Sequence, residues 1–142
     1  MIYTAKAKAA LKLCFEVHKN QTDKSGMPYV FHPFHLAEQM KDEDTTIAAL
    51  LHDVVEDTDY TIADLEQMGF PPNVIEALEL LTHNDDTPYM EYVAKIKDNP
   101  IAKAVKLTDL EHNSDLSRLD TVDEKALKRK EKYIQAIRLL NE

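Results

Sequence analysis

Apolar residues recur along most of the chain at the three- and four-residue spacing that is typical of amphipathic helices. A cap at Thr4 begins the first predicted helix, which runs to about His18 before a polar stretch interrupts the pattern. The next helix restarts at Pro33, a favoured first helical position, and leaves His32 at its cap. A third predicted helix covers about 44–57.

Helix signals continue through the second half of the chain. Capping-box spacing between Thr61 and Asp64 predicts a short helix that Gly69 ends. A cap followed by proline predicts two more helix starts, at Thr87 and at Asn99. The remaining predicted helices lie at about 71–83 and 122–140. The pattern therefore predicts an all-α fold of about seven or eight helices with short connections.

The composition supports this fold class. A chain of 142 residues with 44 % hydrophobic residues can bury a full-sized core without disulfides, so we expect a single domain over residues 1–142. Only two glycines and no tryptophan, with abundant Ala, Leu, Lys and Glu, describe a helix-forming chain.

Charge and cysteine content narrow the class of function. The net charge of −9 argues against broad binding of nucleic acids or anionic membranes, which both select an excess of Lys and Arg. The single Cys14 lies on a helical apolar pattern, which indicates a buried thiol and fits a reducing cytoplasm. Charges in the first 17 residues replace the apolar core of a signal peptide, so we expect a soluble cytoplasmic protein. The sequence leaves open whether copies associate into a homo-oligomer.

The third predicted helix ends in an unusual concentration of negative charge, in the stretch "LLHDVVEDT" at 50–58. His52, Asp53, Glu56 and Asp57 share one end of its surface because their spacing brings them to neighbouring helical turns. The helix dipole makes each carboxylate there unfavourable by roughly 0.3–1 kcal/mol, whereas a cation would be stabilised. A solvated acidic helix end and a metal site explain "HDVVED" about equally well.

Two further residues could complete a metal site. His32 stands before a proline at a helix start, and Asp109 lies on an apolar stripe with Ala102, Val105 and His112. A buried carboxylate on such a stripe needs a cation or several hydrogen-bond donors. A bound metal and a salt bridge therefore explain Asp109 equally well. Imidazole and carboxylate together suit Mn²⁺, Fe²⁺ or Zn²⁺.

Three segments in this order carry a resemblance to a known family. They are "SGMPYVFHP" at 25–33, "AALLHDVVEDT" at 48–58 and "KLTDLEHNSDL" at 106–116. Together they resemble the HD-domain phosphohydrolases, and more closely the hydrolase domain of Rel/Spo-type alarmone enzymes and the stand-alone small alarmone hydrolases. Those all-helical enzymes remove the 3′-diphosphate from guanosine tetra- and pentaphosphate. The resemblance covers about 4–120, with the helix at 122–140 beyond it.

The resemblance implies a role for each matching residue. It implies an active stand-alone hydrolase with one divalent metal, usually Mn²⁺ in this group. The implied metal ligands are His32, His52, Asp53 and Asp109. Glu56 and Asp57 match the pair that positions and deprotonates the attacking water. A small phosphorylated nucleotide is the implied substrate, contacted by Lys24, Ser25 and Asn113.

The chain departs from the family at positions that recognise the substrate. Asp23 stands where the family has an arginine that packs on the purine, and an acid there adds repulsion towards phosphate. Leu110 and Asp115 replace two commonly basic residues. Arg118 could restore one positive charge, although pairing with Asp115 or Asp120 is the simpler interpretation.

Several other residues keep two interpretations. His112 and His35 could support the metal site or be structural, and Tyr89 and Tyr92 could contact the substrate or pack in the core. Lys103 and Lys106 could face a phosphate chain, while a solvated helix face is the simpler expectation. Two alternative functions also stay open: hydrolysis of another nucleotide or phosphorylated metabolite, and a nucleotide-sensing module without turnover.

Overall fold

A computed structural model describes all residues from Met1 to Glu142 and contains helices but no β-strand, which confirms the all-α prediction. Thr22 and Pro28 form an isolated β-bridge. The helices are α1 (Ala5–His18), α2 (Phe31–Glu38), α3 (Glu43–Leu51), α4 (Val54–Asp57), α5 (Ile62–Gln67), α6 (Pro72–Leu81), α7 (Tyr89–Ile96), α8 (Pro100–Asn113) and α9 (Glu124–Leu140), with a 3₁₀ turn at Leu116–Arg118. Eight of the nine helices are longer than the single turn of α4.

Helix α3 lies at the centre of the molecule. Every residue from Thr45 to Leu51 is buried, because α1, α2, α6 and α8 pack around this helix. Asp42 begins α3 by accepting a hydrogen bond from the backbone N–H of Thr45 at 2.8 Å. Residues that follow the C-terminal end of α3 therefore emerge in the middle of the fold, between α2 and α8.

The prediction of one continuous helix over 44–57 is wrong. The helix stops at Leu51, Asp53 adopts φ −106° and ψ 2°, and a single new turn runs over Val54–Asp57. The imidazole Nδ1 of His52 lies 2.7 Å from the carbonyl oxygen of Ala49. In an unbroken helix, that carbonyl oxygen accepts a hydrogen bond from the backbone N–H of Asp53. Here the side chain of His52 donates to it instead.

Most of the predicted helix starts are correct. Thr4 accepts from the backbone N–H of Ala7, Asn99 accepts from that of Ala102, and the capping box of Thr61 is complete. Helix α2 begins at Phe31 rather than at Pro33, so His32 lies inside its first turn and not at its cap. Helix α7 begins at Tyr89 without a side-chain cap, so the predicted cap at Thr87 is wrong.

A single cluster of 28 buried apolar residues extends from Ala7 to Leu140. Cys14 belongs to it, as predicted, and is fully buried. Burial, followed by the nearby Asp53, raises the pKa of the Cys14 thiol to about 12, so the residue is not a nucleophile. No helix combines the length and the apolar composition that crossing a bilayer requires.

Candidate metal centre and substrate cavity

Three buried side chains from different elements converge at the C-terminal end of α3. His32 lies in the first turn of α2, His52 follows α3, and Asp109 lies in α8. Their donor atoms all lie within 4.8 Å of one another, and the three residues are 4 %, 4 % and 6 % exposed. Two histidine nitrogens and a carboxylate oxygen at this spacing can hold a metal ion.

The hydrogen bond of His52 to Ala49 determines which ring nitrogen faces this centre. Because Nδ1 donates its proton to the carbonyl of Ala49, Nε2 carries a lone pair. Nε2 lies 3.1 Å from Oδ2 of Asp53 and 3.7 Å from Oδ1 of Asp109, and it makes no hydrogen bond although it is buried. In the neutral ring the lone pair of Nε2 thus faces two carboxylates, an arrangement that a cation would stabilise.

His32 has a similar relationship with His112. The two Nδ1 atoms are 2.7 Å apart, and Nε2 of His32 lies 2.9 Å from Oδ1 of Asp109. When Nδ1 of His32 donates to His112, Nε2 of His32 has a lone pair directed at the centre. Burial, then Arg118, lowers the pKa of His112 to about 3, which keeps that ring neutral and able to accept. Of the two interpretations of His112, the contact favours support of the metal site; the ring of His35 stacks on it, with centroids 4.0 Å apart.

Asp109 has one of the two partners that the sequence left open, a salt bridge. Its Oδ2 pairs with Nζ of Lys106 at 2.9 Å, while Oδ1 accepts from Nδ2 of Asn113 at 2.9 Å. Burial alone would raise the pKa of Asp109, but the charge of Lys106, followed by the adjacent imidazoles of His32 and His52, holds it well below its usual range. Lys106 is mostly buried and lies 5.2 Å from the ring centre of Tyr92, so the expectation of a solvated lysine is wrong.

Asp53 lies at the edge of the centre. It is half-buried and is not one of the three residues whose donor atoms lie within 4.8 Å of one another. Burial, followed by the charges of Asp109, Asp57 and Glu56, raises the pKa of Asp53 well above its usual range. The hydroxyl of Tyr29 donates a hydrogen bond to Oδ2 of Asp53. Sequence reasoning missed Tyr29, although it lies inside the first of the three family-like segments.

Glu56 and Asp57 are both exposed and line different cavities. Glu56 borders a cavity of about 210 Å³ together with His52 and Asp109, and its Oε1 accepts from the backbone N–H of His83. Asp57 borders a larger cavity of about 670 Å³ that His32 also lines. The two adjacent residues therefore border different cavities, which the single-helix expectation did not predict.

The larger cavity is lined by three cationic side chains and by three acidic ones, Asp23, Asp57 and Asp115. Lys24, Arg118 and Arg129 line it from the loop before α2, the 3₁₀ turn and α9. The predicted substrate contacts Lys24, Ser25 and Asn113 also line it. Arg129 was missed because α9 carries no motif, and only the packing of the helices brings it here.

Comparison with known proteins places these features in a family. The model of the HD domain family matches residues 10–139. The chain belongs to the HD domain family. It is 35 % identical over 114 residues to the Escherichia coli K12 bifunctional (p)ppGpp synthase/hydrolase SpoT, covering 69 % of this chain and 16 % of SpoT. It is 36 % identical over 117 residues to the Danio rerio guanosine-3′,5′-bis(diphosphate) 3′-pyrophosphohydrolase MESH1, covering 72 % of this chain and 64 % of MESH1.

A solved structure agrees with this assignment. A metazoan orthologue of SpoT, described as hydrolysing ppGpp, superposes with a TM-score of 0.80 at 25 % identity, covering 99 % of this chain and 88 % of the other. The chain thus spans about a sixth of SpoT and just under two thirds of MESH1.

Asp23 is a structural residue of the loop between α1 and α2, residues 19–30, here called the recognition loop. Oδ1 of Asp23 accepts from the backbone N–H groups of Ser25 and Met27, at 2.9 and 3.0 Å. Its Oδ2 lies 3.9 Å from a guanidinium nitrogen of Arg118. The expected pairing of Arg118 with Asp115 or Asp120 is therefore wrong, and the carboxylate of Asp23 is partly neutralised.

Two other residues singled out in the sequence pack in the core. Leu110 is buried in the core, so no basic side chain reaches the site from that position. Tyr92 is buried and its hydroxyl donates to the carbonyl of Leu81 at 2.6 Å, as expected for core packing. Tyr89 is half-buried and lines the smaller cavity.

Proposed function

We propose that this HD domain is a metal-dependent phosphohydrolase that acts on guanosine 3′,5′-bis(diphosphate). The observation that carries the proposal is the buried Nε2 of His52, which has no hydrogen-bond partner and faces carboxylate oxygens of Asp53 and Asp109. Such a set of lone pairs is unfavourable without a cation. The names of the relatives, SpoT and MESH1, supply the reaction.

The proposed metal ligands are His32, His52, Asp53 and Asp109, and Mn²⁺ is the proposed ion. Mixed imidazole and carboxylate donors fit Mn²⁺, and the tautomer of His52 already offers a lone pair to the centre. Lys106 balances the second oxygen of Asp109, which leaves its Oδ1 for the ion. A bound divalent ion lowers the pKa of its water and polarises phosphoryl oxygens.

The proposed reaction consumes one water. The water oxygen bonds to the phosphorus next to the 3′ oxygen, and the 3′ O–P bond breaks. The products are guanosine 5′-diphosphate and pyrophosphate. Glu56 and Asp57 are the proposed groups that take the proton from the water, since both are exposed carboxylates at cavities that reach the centre. The backbone N–H of His83 orients Glu56 for this role.

The cationic side chains of the larger cavity suit a polyphosphate. Lys24, Arg118 and Arg129 are the cations that line it, next to His32. Asp23, Asp57 and Asp115 line the same cavity, so the proposed contacts are individual ones between a cation and a phosphate oxygen. The setting we propose is the cytoplasm, with residues 1–142 as one domain.

An assay of pyrophosphate release tests the proposal. Protein stripped with a chelator and reloaded with Mn²⁺ should convert guanosine 3′,5′-bis(diphosphate) to guanosine 5′-diphosphate and pyrophosphate. We expect Asp53→Asn to lose activity, and Glu56→Gln to lower kcat by about 10²–10⁴-fold. Asp98→Asn, the same change at an exposed position in another turn, is the matched control. Equal rates for wild type and Asp53→Asn would refute a metal-dependent reaction at this centre.

A second candidate is hydrolysis of a different nucleotide at the same centre. The observation that favours it is Asp23, which stands at the base-recognition position of the loop and has no stacking surface. Guanosine, adenosine and nicotinamide nucleotides carrying one to four phosphates, compared at equal concentration, separate the two candidates. A kcat/KM highest for the guanosine 3′-diphosphate would eliminate the second.

A further inference from the structure

The guanidinium group of Arg118 is held by acceptors from two segments of the chain, the end of α8 and the loop before α2. One Nη donates to the carbonyl oxygen of His112 at 2.9 Å and lies 3.4 Å from Oδ1 of Asn113. The other Nη lies 3.9 Å from Oδ2 of Asp23. The side chain is only 27 % exposed, so it is fixed in place rather than extended into solvent.

The recognition loop and the 3₁₀ turn are joined at this arginine. Oγ of Ser25 donates to the backbone carbonyl of Arg118 at 2.9 Å, so both the main chain and the side chain of Arg118 contact the loop. Asp23 meanwhile closes the loop through its other oxygen, which accepts from backbone N–H groups. Asp23 therefore stabilises the loop with one carboxylate oxygen and holds the guanidinium of Arg118 with the other.

The edge of the guanidinium is occupied, while Arg118 still lines the larger cavity beside His32. A planar guanidinium bound through its edge keeps its flat face for stacking on a ring. We propose that Arg118 determines specificity by stacking on the base of the nucleotide, and that Asp23 is a positioning residue for it. This inference rests on the proposed function, because it assumes a nucleotide in the larger cavity.

Two substitutions of Arg118 separate stacking from simple charge. Arg118→Lys keeps the positive charge and loses the planar group, whereas Arg118→Gln keeps a planar amide and loses the charge. Loss of the stacking contact should raise KM and weaken binding of guanosine 5′-diphosphate by about tenfold in Arg118→Lys, with kcat within about twofold. Wild-type KM and binding in Arg118→Lys would overturn the stacking role.

Asp23→Asn tests the positioning role. The amide oxygen can still accept from the loop N–H groups, so the loop should keep its shape while the charge that holds Arg118 is lost. We expect a several-fold rise in KM in the wild-type background and no further rise when Arg118→Gln is already present. Asp120→Asn removes the same charge from an exposed position and should leave KM unchanged. Additive effects of Asp23→Asn and Arg118→Gln would overturn the positioning role.

Failure of this inference is distinguishable from failure of the proposed function. If wild type hydrolyses the guanosine 3′-diphosphate but Arg118→Lys matches it in KM and in nucleotide binding, the inference alone is wrong. If wild type neither hydrolyses nor binds any nucleotide of the panel, both are wrong. Thermal unfolding of each variant checks that the compared proteins are folded.

Discussion

The Nδ1 atom of His52 donates a hydrogen bond to the carbonyl oxygen of Ala49, and the two atoms are 2.7 Å apart. This contact ends α3 and directs Nε2 of His52 towards two carboxylates. One hydrogen bond thus sets both the local backbone and the orientation of the proposed metal ligand. Its two consequences can be separated by substitution.

We predict that His52→Asn abolishes metal binding but leaves the fold intact. The Asn amide can replace Nδ1 as the donor to Ala49, but no atom replaces Nε2. Metal at about 100 times its Kd should stabilise wild type by about 2.7 kcal/mol, and this gain should vanish in the variant. Thermal unfolding with and without Mn²⁺ measures it. His52→Gln, which keeps an atom near the Nε2 position and loses the contact with Ala49, is the paired variant. A metal-dependent shift retained in His52→Asn would remove His52 from the ligand set.

We predict that the acceptor atom of His112, rather than its bulk, supports metal binding through His32. The 2.7 Å contact between the two Nδ1 atoms fixes the tautomer of His32 only if His112 accepts. His112→Leu should weaken metal affinity by about 10–100-fold, the usual size for loss of a partner that orients a ligand. His112→Asn, whose side-chain oxygen can accept, should retain most of the affinity. Competition with a chelator gives both values, and equal losses in the two variants would indicate a packing role only.

Local signals in the sequence predicted most helix starts because capping depends on a few neighbouring residues. Thr4, Asn99 and the Thr61 capping box illustrate this. The break at His52 was not predicted, because a side chain displaces a backbone donor there. The spacing of apolar residues gives no indication of such a displacement. The sequence also gave no sign that Leu110 points into the core, since its helix is polar on several sides.

The candidate site was also predicted only in part, because some of its residues come together only through the packing of the helices. The resemblance brought forward His32, His52 and Asp109, which the structure places together, although their role as ligands stays a prediction. Arg129 was not found because only the packing of α9 brings it to the larger cavity. Arg118 was assigned to neighbours in sequence, whereas its contacts come from the distant loop and from the end of α8.

We predict that Asp53→Asn stabilises the metal-free protein. Burial and three neighbouring carboxylates raise the pKa of Asp53, so its charged form destabilises the folded state at neutral pH. Asn removes that charge and can still accept from Tyr29. We expect a gain of about 1 kcal/mol in the free energy of unfolding with chelator present, and none with saturating Mn²⁺. Urea unfolding at pH 7 measures both, with Asp98→Asn as the control; destabilisation without metal would contradict the prediction.

The last prediction concerns pH and His18. This histidine is fully buried in α1, its Nδ1 lies 2.8 Å from Oε1 of Gln21, and its Nε2 has no partner. Burial, as the largest effect, lowers the pKa of His18 below its ordinary value of 6.5. Between those two pKa values the unfolded chain binds a proton that the folded chain does not. Stability should therefore be fully present above pH 6.5 and fall as the pH drops towards the folded pKa.

His18→Asn tests this directly, because the amide can still donate to Gln21 but does not titrate. One proton bound only by the unfolded chain changes the free energy of unfolding by at most about 1.4 kcal/mol per pH unit. Loss of His18 should reduce the slope of the free energy of unfolding against pH, below pH 6.5, by part of that amount. This holds whatever the substitution does to stability at neutral pH. Val17→Ala is the control, since it removes buried volume from the neighbouring position and leaves every titrating group in place. Parallel curves of stability against pH for wild type, His18→Asn and Val17→Ala would show that His18 does not contribute to acid sensitivity, whereas a flatter curve for His18→Asn alone is the expected result.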